Sequence, residues 1–267
     1  PASRTDGSGA GDKAGGAGEG PARRFAGSAE SSAAAGAVAG GTGGRTVGVI
    51  LVQAAATAEE TEYMLALAEE HPWIVGVVGS LPAYGLFGKH PKLKGIRVNG
   101  GSFHGDDAAF ADALARMAED GCPIDLLIRP DDMPHVVRHF ERIPQVRAVI
   151  DHLGSPDVKT GLNLDVWKTW VGRLAAFPNV HCKLSGLLTL AGGMRPERLR
   201  EPFAFLFAAF GGKRLMFGSD WPVALQAGGY GDAVRLFEAA LPAGLAEGEL
   251  QAVRSGNAAR YYGVSAE

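Results

Sequence analysis

The sequence contains only two cysteines, no histidine before His71, and no long run of basic or apolar residues. Its formal net charge is −3, and it has no basic stretch of the kind that binds nucleic acid. No apolar run is long enough to span a bilayer, and none has the order of a signal peptide. We therefore expect neither nucleic acid nor a membrane as a partner.

The two cysteines, Cys122 and Cys182, are far apart in the sequence and lie in apolar surroundings. This placement predicts buried free thiols rather than a disulfide or a zinc knuckle. Free thiols fit a reducing, cytoplasmic location. The oligomeric state is not readable from the sequence, and a homo-oligomer is left open.

Residues 1–45 differ in composition from the rest of the chain. Thirty of them are glycine, alanine or serine, and Phe25 and Val38 are the only larger apolar side chains. Such a segment cannot bury enough apolar surface to offset the entropy lost on ordering. We predict that residues 1–45 are mostly disordered, with at most one irregular strand near residues 22–27, and that residues 46–267 form the folded domain.

After this segment, seven short apolar stretches alternate with amphipathic ones. The predicted strands are Val47–Gln53, Trp73–Ser80, Leu93–Val98, Pro123–Ile128, Val146–Ile150, Val180–Leu184 and Leu215–Phe217. Uniformly apolar strands separated by helices are typical of a parallel sheet buried on both faces. At this chain length, the pattern predicts an α/β fold, a TIM-like (β/α)8 barrel with its first strand missing or divergent. Truncation, a frame error and real divergence all remain open as causes.

A polar or charged side chain stands at the end of every predicted strand. These residues are Gln53, Ser80, Arg97, Arg129, His152, Lys183 and Asp220. In a parallel barrel, the carboxyl ends of all strands meet at one mouth, where the active site lies. We therefore predict that Gln53, Arg97, Arg129, His152, Lys183 and Asp220 converge on one pocket, with Trp221 on its wall.

Each of these residues has a structural alternative. Asp220 is a candidate general base, but a carboxylate there also caps a following helix. His152 suits a proton relay or carbonyl polarisation, and it equally suits a turn. Arg97 and Arg129 suggest bidentate recognition of a carboxylate or polyhydroxy acid, or surface ion pairs.

Lys183 lies in a strand whose alternation places Cys182 and Leu184 on one face and Lys183 on the other. If the first pair contacts the helices, Lys183 points into the mouth. There it either binds substrate or serves as a structural ion-pair partner.

His135 and His139 stand four residues apart on a predicted helix, a spacing that can bind a metal. No Glu lies between them in a zincin arrangement, and their helix belongs to the outer ring. We interpret both as solvated residues.

The strand ends carry a recognisable set of segments. They are Leu51–Ala54, Gly76–Gly79, Leu93–Arg97, Ile150–Gly154, Cys182–Gly186 and Met216–Pro222. In this order they resemble the amidohydrolase-2 family over residues 46–263, and most closely its metal-independent sugar-lactone and pyrone-dicarboxylate lactonase branch. The resemblance implies a TIM barrel that hydrolyses a small lactone. It also implies that Asp220 activates water, that His152 and a strand-one His-x-His assist at the carbonyl, and that arginines hold the substrate.

The sequence departs from this pattern at strand one, because no His-x-His occurs in residues 1–70. Strand Pro123–Ile128, which is the fifth strand if the missing first strand is counted, is followed by Arg129. Metal-dependent relatives carry a metal ligand at this position. One histidine and one aspartate are too few for a zinc site, which usually has three or four protein ligands. We therefore expect no bound metal and no cofactor.

Three functions are compatible with these residues. The first is a lactone hydrolase with Asp220 as general base and His152 as its partner, while Arg97, Arg129, Lys183 and Gln53 hold the substrate. The second is a non-catalytic barrel that binds a sugar acid or a partner protein. The third is a metal-dependent hydrolase or decarboxylase of the same superfamily, for which the ligands are missing. We rank them in that order.

Overall fold

The structure is a computed structural model that describes residues 34–39, 46–105 and 107–265. The strand expected near residues 22–27 lies outside the described residues, and the domain boundary near residue 46 stays a prediction. The strands are β1 (Ala34–Ala39), β2 (Thr46–Val52), β3 (Ile74–Ser80), β4 (Leu93–Asn99), β5 (Ile124–Leu127), β6 (Ala148–Ile150), β7 (Val180–Leu184) and β8 (Leu215–Phe217).

The eight strands form one curled sheet in chain order, from β1 to β8. Strands β2 to β8 are parallel, as predicted, while β1 pairs antiparallel with β2. Strand β1 also approaches β8. The pattern did not predict β1, because its sequence Ala-Ala-Gly-Ala-Val-Ala lacks the apolar bulk that marks a buried strand. The fold is thus a TIM-like α/β sheet whose first strand is divergent.

Helices alternate with the parallel strands. They are α1 (Ala58–Glu70), α2 (Ala108–Glu119), α3 (Met133–Arg142), α4 (Leu164–Ala175), α5 (Leu187–Ala191), α6 (Arg200–Phe210), α7 (Tyr230–Ala240), α8 (Glu247–Gln251) and α9 (Asn257–Tyr262). Large side chains from several of them, such as Trp167, Phe203 and Phe237, are fully buried. Among the helices that the structure describes, none is both long and apolar enough to cross a membrane.

The C-terminal helix α9 closes the amino-terminal end of the sheet. The hydroxyl of Tyr261 donates to the carbonyl oxygen of Ile124 at the start of β5, over 3.4 Å. Tyr261 and Tyr262 are buried in one cluster with inward side chains of the strands, among them Ile50, Val78 and Met216. These side chains fill the centre of the barrel at its amino-terminal end, so a site between the strands is expected at the carboxyl end.

The two cysteines are both free, as predicted. Cys182 is buried and Cys122 is half-buried. Burial raises the pKa of the Cys122 thiol to about 11, so this thiol is protonated and unreactive at neutral pH.

The interpretation of His139 as a solvated residue is wrong. Its ring is 9% exposed and lies edge-on to Phe103 and Phe110, at centroid distances of 5.6 and 5.7 Å. Helix α3 packs under the turn that follows β4, so this position faces the core. His135 is half-buried and stacks on His104 at 4.2 Å. The nitrogen lone pairs of two stacked rings lie in separate, nearly parallel planes. His104 and His135 therefore do not direct them at a common metal position.

Candidate active site

A narrow cavity opens at the carboxyl end of the sheet. Its volume is about 20 Å³, which is room for one water molecule. It is lined by Val52, Arg97, Asp151, His152, Lys183, Ser185, Gly218 and Asp220. These residues come from the ends of β2, β4, β6, β7 and β8, so the chain builds the cavity from strands distant in sequence.

Asp220 and His152 face each other across this cavity. The carboxylate Oδ1 of Asp220 lies 3.8 Å from Nε2 of His152, and the Asp220 side chain is 7% exposed. Both residues have left-handed backbone conformations, with φ of 56° and 51°. Such a conformation costs about 1–3 kcal/mol for a residue with a side chain, and it is concentrated at functional sites. The fold thus holds both side chains in place against local strain.

Burial shifts the pKa values of the pair toward each other. It raises the pKa of the Asp220 carboxyl, although the nearby His152 and Arg97 partly oppose this. It lowers the pKa of His152 in spite of the facing carboxylates of Asp220 and Asp151. At neutral pH the imidazole is therefore neutral. The carboxylate is a stronger base than an exposed aspartate.

The neighbours of His152 define its tautomer. Nη2 of Arg97 lies 3.3 Å from Nε2, and a guanidinium can only donate. Nε2 must then accept, which leaves the proton on Nδ1. That N–H donates to Oγ of Ser185 over 2.9 Å, and the same oxygen accepts from the main-chain N–H of His152 over 3.2 Å. Ser185 thereby orients the ring with its Nε2 lone pair toward Arg97, on the edge that also faces Asp220.

A buried charge network lies beneath the pair. Nε of Arg97 is 3.1 Å from Oδ2 of Asp151, and Nζ of Lys183 is 2.9 Å from Oδ1 of the same carboxylate. Lys183 also pairs closely with Asp125, to which the hydroxyl of Tyr262 donates over 2.8 Å. Burial would lower the pKa of Lys183, but the two aspartates outweigh it and raise that pKa. Lys183 is therefore charged and forms ion pairs with Asp125 and Asp151.

The structure brings four of the predicted site residues to the cavity: Arg97, His152, Lys183 and Asp220. Gln53 is buried behind them, and its main-chain oxygen accepts from Nη1 of Arg97 over 2.8 Å. The exposed side chains of Arg129 and Trp221 are outside the residues that line the cavity. The roles assigned to all six residues and to Trp221 in substrate binding and catalysis stay predictions.

Sequence reasoning missed Asp125 and Tyr262. A signal for Asp125 did exist, since a carboxylate between Ile124 and Leu126 in a fully apolar strand must find a partner. Tyr262 lies at the end of the last helix and is 137 residues from Asp125, so no local pattern connects them.

The comparisons with known proteins agree with this architecture. The chain matches the amidohydrolase family over residues 4–264. It is 36% identical over 197 residues to an L-fucono-1,5-lactonase of Burkholderia ambifaria, covering 68% of this chain and 67% of the relative. A solved amidohydrolase of Burkholderia multivorans with bound zinc is 34% identical and has a TM-score of 0.72. The match covers 82% of this chain and 84% of that one. A structure from Pseudomonas putida, described as a 2-pyrone-4,6-dicarboxylic acid hydrolase, is 27% identical with a TM-score of 0.66, at coverages of 80% of this chain and 81% of that one.

The strand order and the alternating helices form a TIM-like barrel. The family match identifies a hydrolase. The chain belongs to the amidohydrolase family, as the strand-end segments predicted. It is therefore an enzyme of the hydrolase class.

Among the described residues, the donor set at this mouth is too small for a zinc site. Within the described ranges, no group of three or more His, Cys, Asp or Glu side chains is placed to hold a metal. Asp151 is already paired with Arg97 and Lys183, which leaves His152 and Asp220 as donors. The Arg97 guanidinium, 3.3 Å from Nε2, also lies on the lone-pair side of the ring, where a bound zinc ion would stand about 2.0–2.1 Å from that nitrogen.

Proposed function

We propose that the protein opens a lactone by water attack, with Asp220 as the general base. The observation that carries this proposal is the pair of buried Asp220 and half-buried His152 beside a cavity sized for one water molecule. The similarity to an L-fucono-1,5-lactonase supports the reaction type.

In this mechanism, Asp220 accepts a proton from water as the water oxygen forms a bond to the lactone carbonyl carbon. Arg97 and the third N–H of Lys183 donate toward the oxyanion of the tetrahedral intermediate. The ring C–O bond then breaks, and the leaving alkoxide receives the proton from Asp220. His152, with a lone pair on Nε2, suits a relay of this proton better than polarisation of the carbonyl.

The charges around the cavity favour a neutral substrate. Three carboxylates, those of Asp125, Asp151 and Asp220, accompany only two cations, Arg97 and Lys183. Both cations are already neutralised by aspartates, so neither is free to balance a substrate carboxylate. A polyhydroxy sugar lactone therefore fits better than a dicarboxylate lactone.

A substrate panel tests this function. We expect release of acid from neutral 1,5- and 1,4-aldonolactones, followed with a pH indicator, and no turnover of 2-pyrone-4,6-dicarboxylate. We also expect equal rates after treatment with a chelator and after addition of zinc. Binding of lactones without turnover would instead favour the non-catalytic barrel. Activation by zinc would contradict our conclusion about the donor set.

Gly186 tests whether the position of the His152 ring matters. Gly186 has φ of +66°, and a Cβ there would lie 2.9 Å from Nδ1 of His152. Gly186→Ala should destabilise the fold by about 1–2 kcal/mol through backbone strain and should also displace the ring, lowering kcat. The matched control is Gly121→Ala, which has φ of +65° and nothing within 4 Å. It should lose similar stability, measured by urea unfolding, and keep full kcat; equal kcat in both variants would contradict the positioning of the ring.

A further inference from the structure

A second cavity lies at the opposite end of the barrel from the mouth. It has a volume of about 260 Å³ and is lined by Arg147, Pro178, Asn179, His181, Lys213, Asn257, Arg260 and Tyr261. Arg147 precedes β6, Asn179 precedes β7, and Lys213 precedes β8, so the starts of three neighbouring strands form its wall. Helix α9 contributes Asn257, Arg260 and Tyr261.

The charges in this cavity are all of one sign. Arg147, Lys213 and Arg260 carry this charge, His181 is the fourth basic residue of the lining, and no carboxylate lines the cavity. None of the four has an ion pair with a carboxylate within the described part of the chain. Glu249 lines an adjoining groove together with Lys213 and Arg260. In a chain with a net charge of −3, such a cluster is a local concentration of uncompensated positive charge.

Neutral partners hold two of these cations in position. Arg147 donates to the main-chain oxygens of Gly121 and Tyr261, over 2.8 and 2.7 Å. Arg260 donates to the side-chain oxygen of Asn257. Carbonyl oxygens orient a guanidinium but leave its full charge, so both groups can still bind an anion without breaking an ion pair.

Asn257 ties the two sides of the cavity together. Its buried amide nitrogen donates to the main-chain oxygens of Gly212 and Leu215, each over 2.6 Å. These oxygens flank Lys213, while Arg260 lies one helical turn beyond Asn257. These bonds fix the main chain that carries Lys213 and Arg260, whose side chains are exposed.

His181 adds a half-buried ring that also forms a hydrogen bond with the main chain of Asn179. Its Nδ1 is buried and has no hydrogen-bond partner among the described residues, and its ring lies against Tyr261 at 4.8 Å. Burial, together with the charges of Arg214 and Arg147, lowers the pKa of His181 to about 4.

We propose that this cavity binds a small oxyanion of the phosphate or phosphate-ester class. Such a ligand satisfies the cations of three separate elements at once and so joins helix α9 to the starts of β6 to β8. Because this end of a barrel supports stability rather than chemistry, the ligand stabilises the fold and does not compete with the substrate.

Inorganic phosphate is the probe for the experiment. The full chain is titrated with phosphate at constant ionic strength, held with sodium chloride, and followed by thermal unfolding and by calorimetry. We expect saturable binding and a rise in Tm. Arg260→Gln and Lys213→Gln should each raise the apparent Kd about tenfold or more, since each removes a charged hydrogen-bond partner. Lys89→Gln, an exposed lysine away from the cavity, should bind phosphate as the unchanged protein does.

The controls separate this cavity from the active site. Arg260→Gln should hydrolyse lactone at the unchanged rate, and phosphate should not raise the apparent KM. Competition between phosphate and lactone would place the anion at the mouth and overturn the proposal. So would a Tm rise that sodium chloride reproduces, or a phosphate affinity that survives in the Arg260→Gln/Lys213→Gln double variant. Each of these outcomes leaves the lactonase proposal standing, which the substrate panel tests separately.

Discussion

Asp220→Asn is expected to lower kcat for lactone hydrolysis by about 10²–10⁴-fold, the usual contribution of a general base. The amide keeps the shape of the carboxylate and tolerates the left-handed backbone, with φ of 56°, but it cannot accept a proton from water. The unchanged enzyme should lose activity as the pH falls through the raised pKa of this carboxyl, because protonation removes the base.

The same substitution should stabilise the protein at neutral pH. Since the pKa of Asp220 is raised in the folded state, its ionised form opposes folding above that pKa, and the neutral amide removes this penalty. The gain in free energy of unfolding of Asp220→Asn over the unchanged protein should decrease as the pH falls from above the raised pKa toward the ordinary value of about 3.9. The reason is that Asp220 of the folded, unchanged protein takes up a proton over this range. Urea unfolding at pH 7 and pH 4 measures this difference.

Asp112→Asn is the matched control, because Asp112 is exposed on helix α2. It should leave both kcat and the free energy of unfolding unchanged, within about 0.5 kcal/mol. A folded Asp220→Asn protein with undiminished turnover would end the proposed mechanism, whatever its stability.

Lys183→Met is expected to destabilise the fold by about 3–5 kcal/mol, the effect of removing one partner from a buried ion pair. Lys183 is 7% exposed and contacts two buried carboxylates. Without the ammonium group, Asp125 loses its cation, while Asp151 keeps Arg97. The uncompensated Asp125 charge, held by one hydroxyl from Tyr262, accounts for most of the loss.

The pH dependence of Lys183→Met distinguishes lost charge pairing from lost packing. Protonation of the unpaired Asp125 carboxylate removes the buried charge. The difference in free energy of unfolding between Lys183→Met and the unchanged protein should therefore decrease as the pH falls. Guanidinium chloride unfolding at pH 7 and pH 5 measures it. Lys183→Met/Asp125→Leu should recover much of the stability, whereas the exposed Lys89→Met should change it by no more than about 0.5 kcal/mol. A loss under 1 kcal/mol in Lys183→Met would contradict the structural role of the pair.

Much of the fold could be predicted from short stretches of the sequence. Apolar runs of strand length between amphipathic helices predicted seven parallel strands in chain order, and the structure has them as β2 to β8. The position of Asp220 and His152 after such runs was enough to predict that they share a mouth, because parallel strands carry their carboxyl ends to one side. Periodicity and strand ends are short-range signals, so one sequence suffices for them.

Contacts between distant elements were decided by the tertiary structure alone. Strand β1 is antiparallel and weakly apolar, so its pairing depends on the edge that β2 offers. His139 is buried because the turn after β4 covers it, and no property of its own helix indicates this. Tyr262 meets Asp125 across 137 residues, and Lys183 joins them to Arg97 through Asp151. By itself the sequence determined which side chains stand at the strand ends; only the packed barrel decided which charges neutralise one another, because that depends on distances that no local pattern encodes.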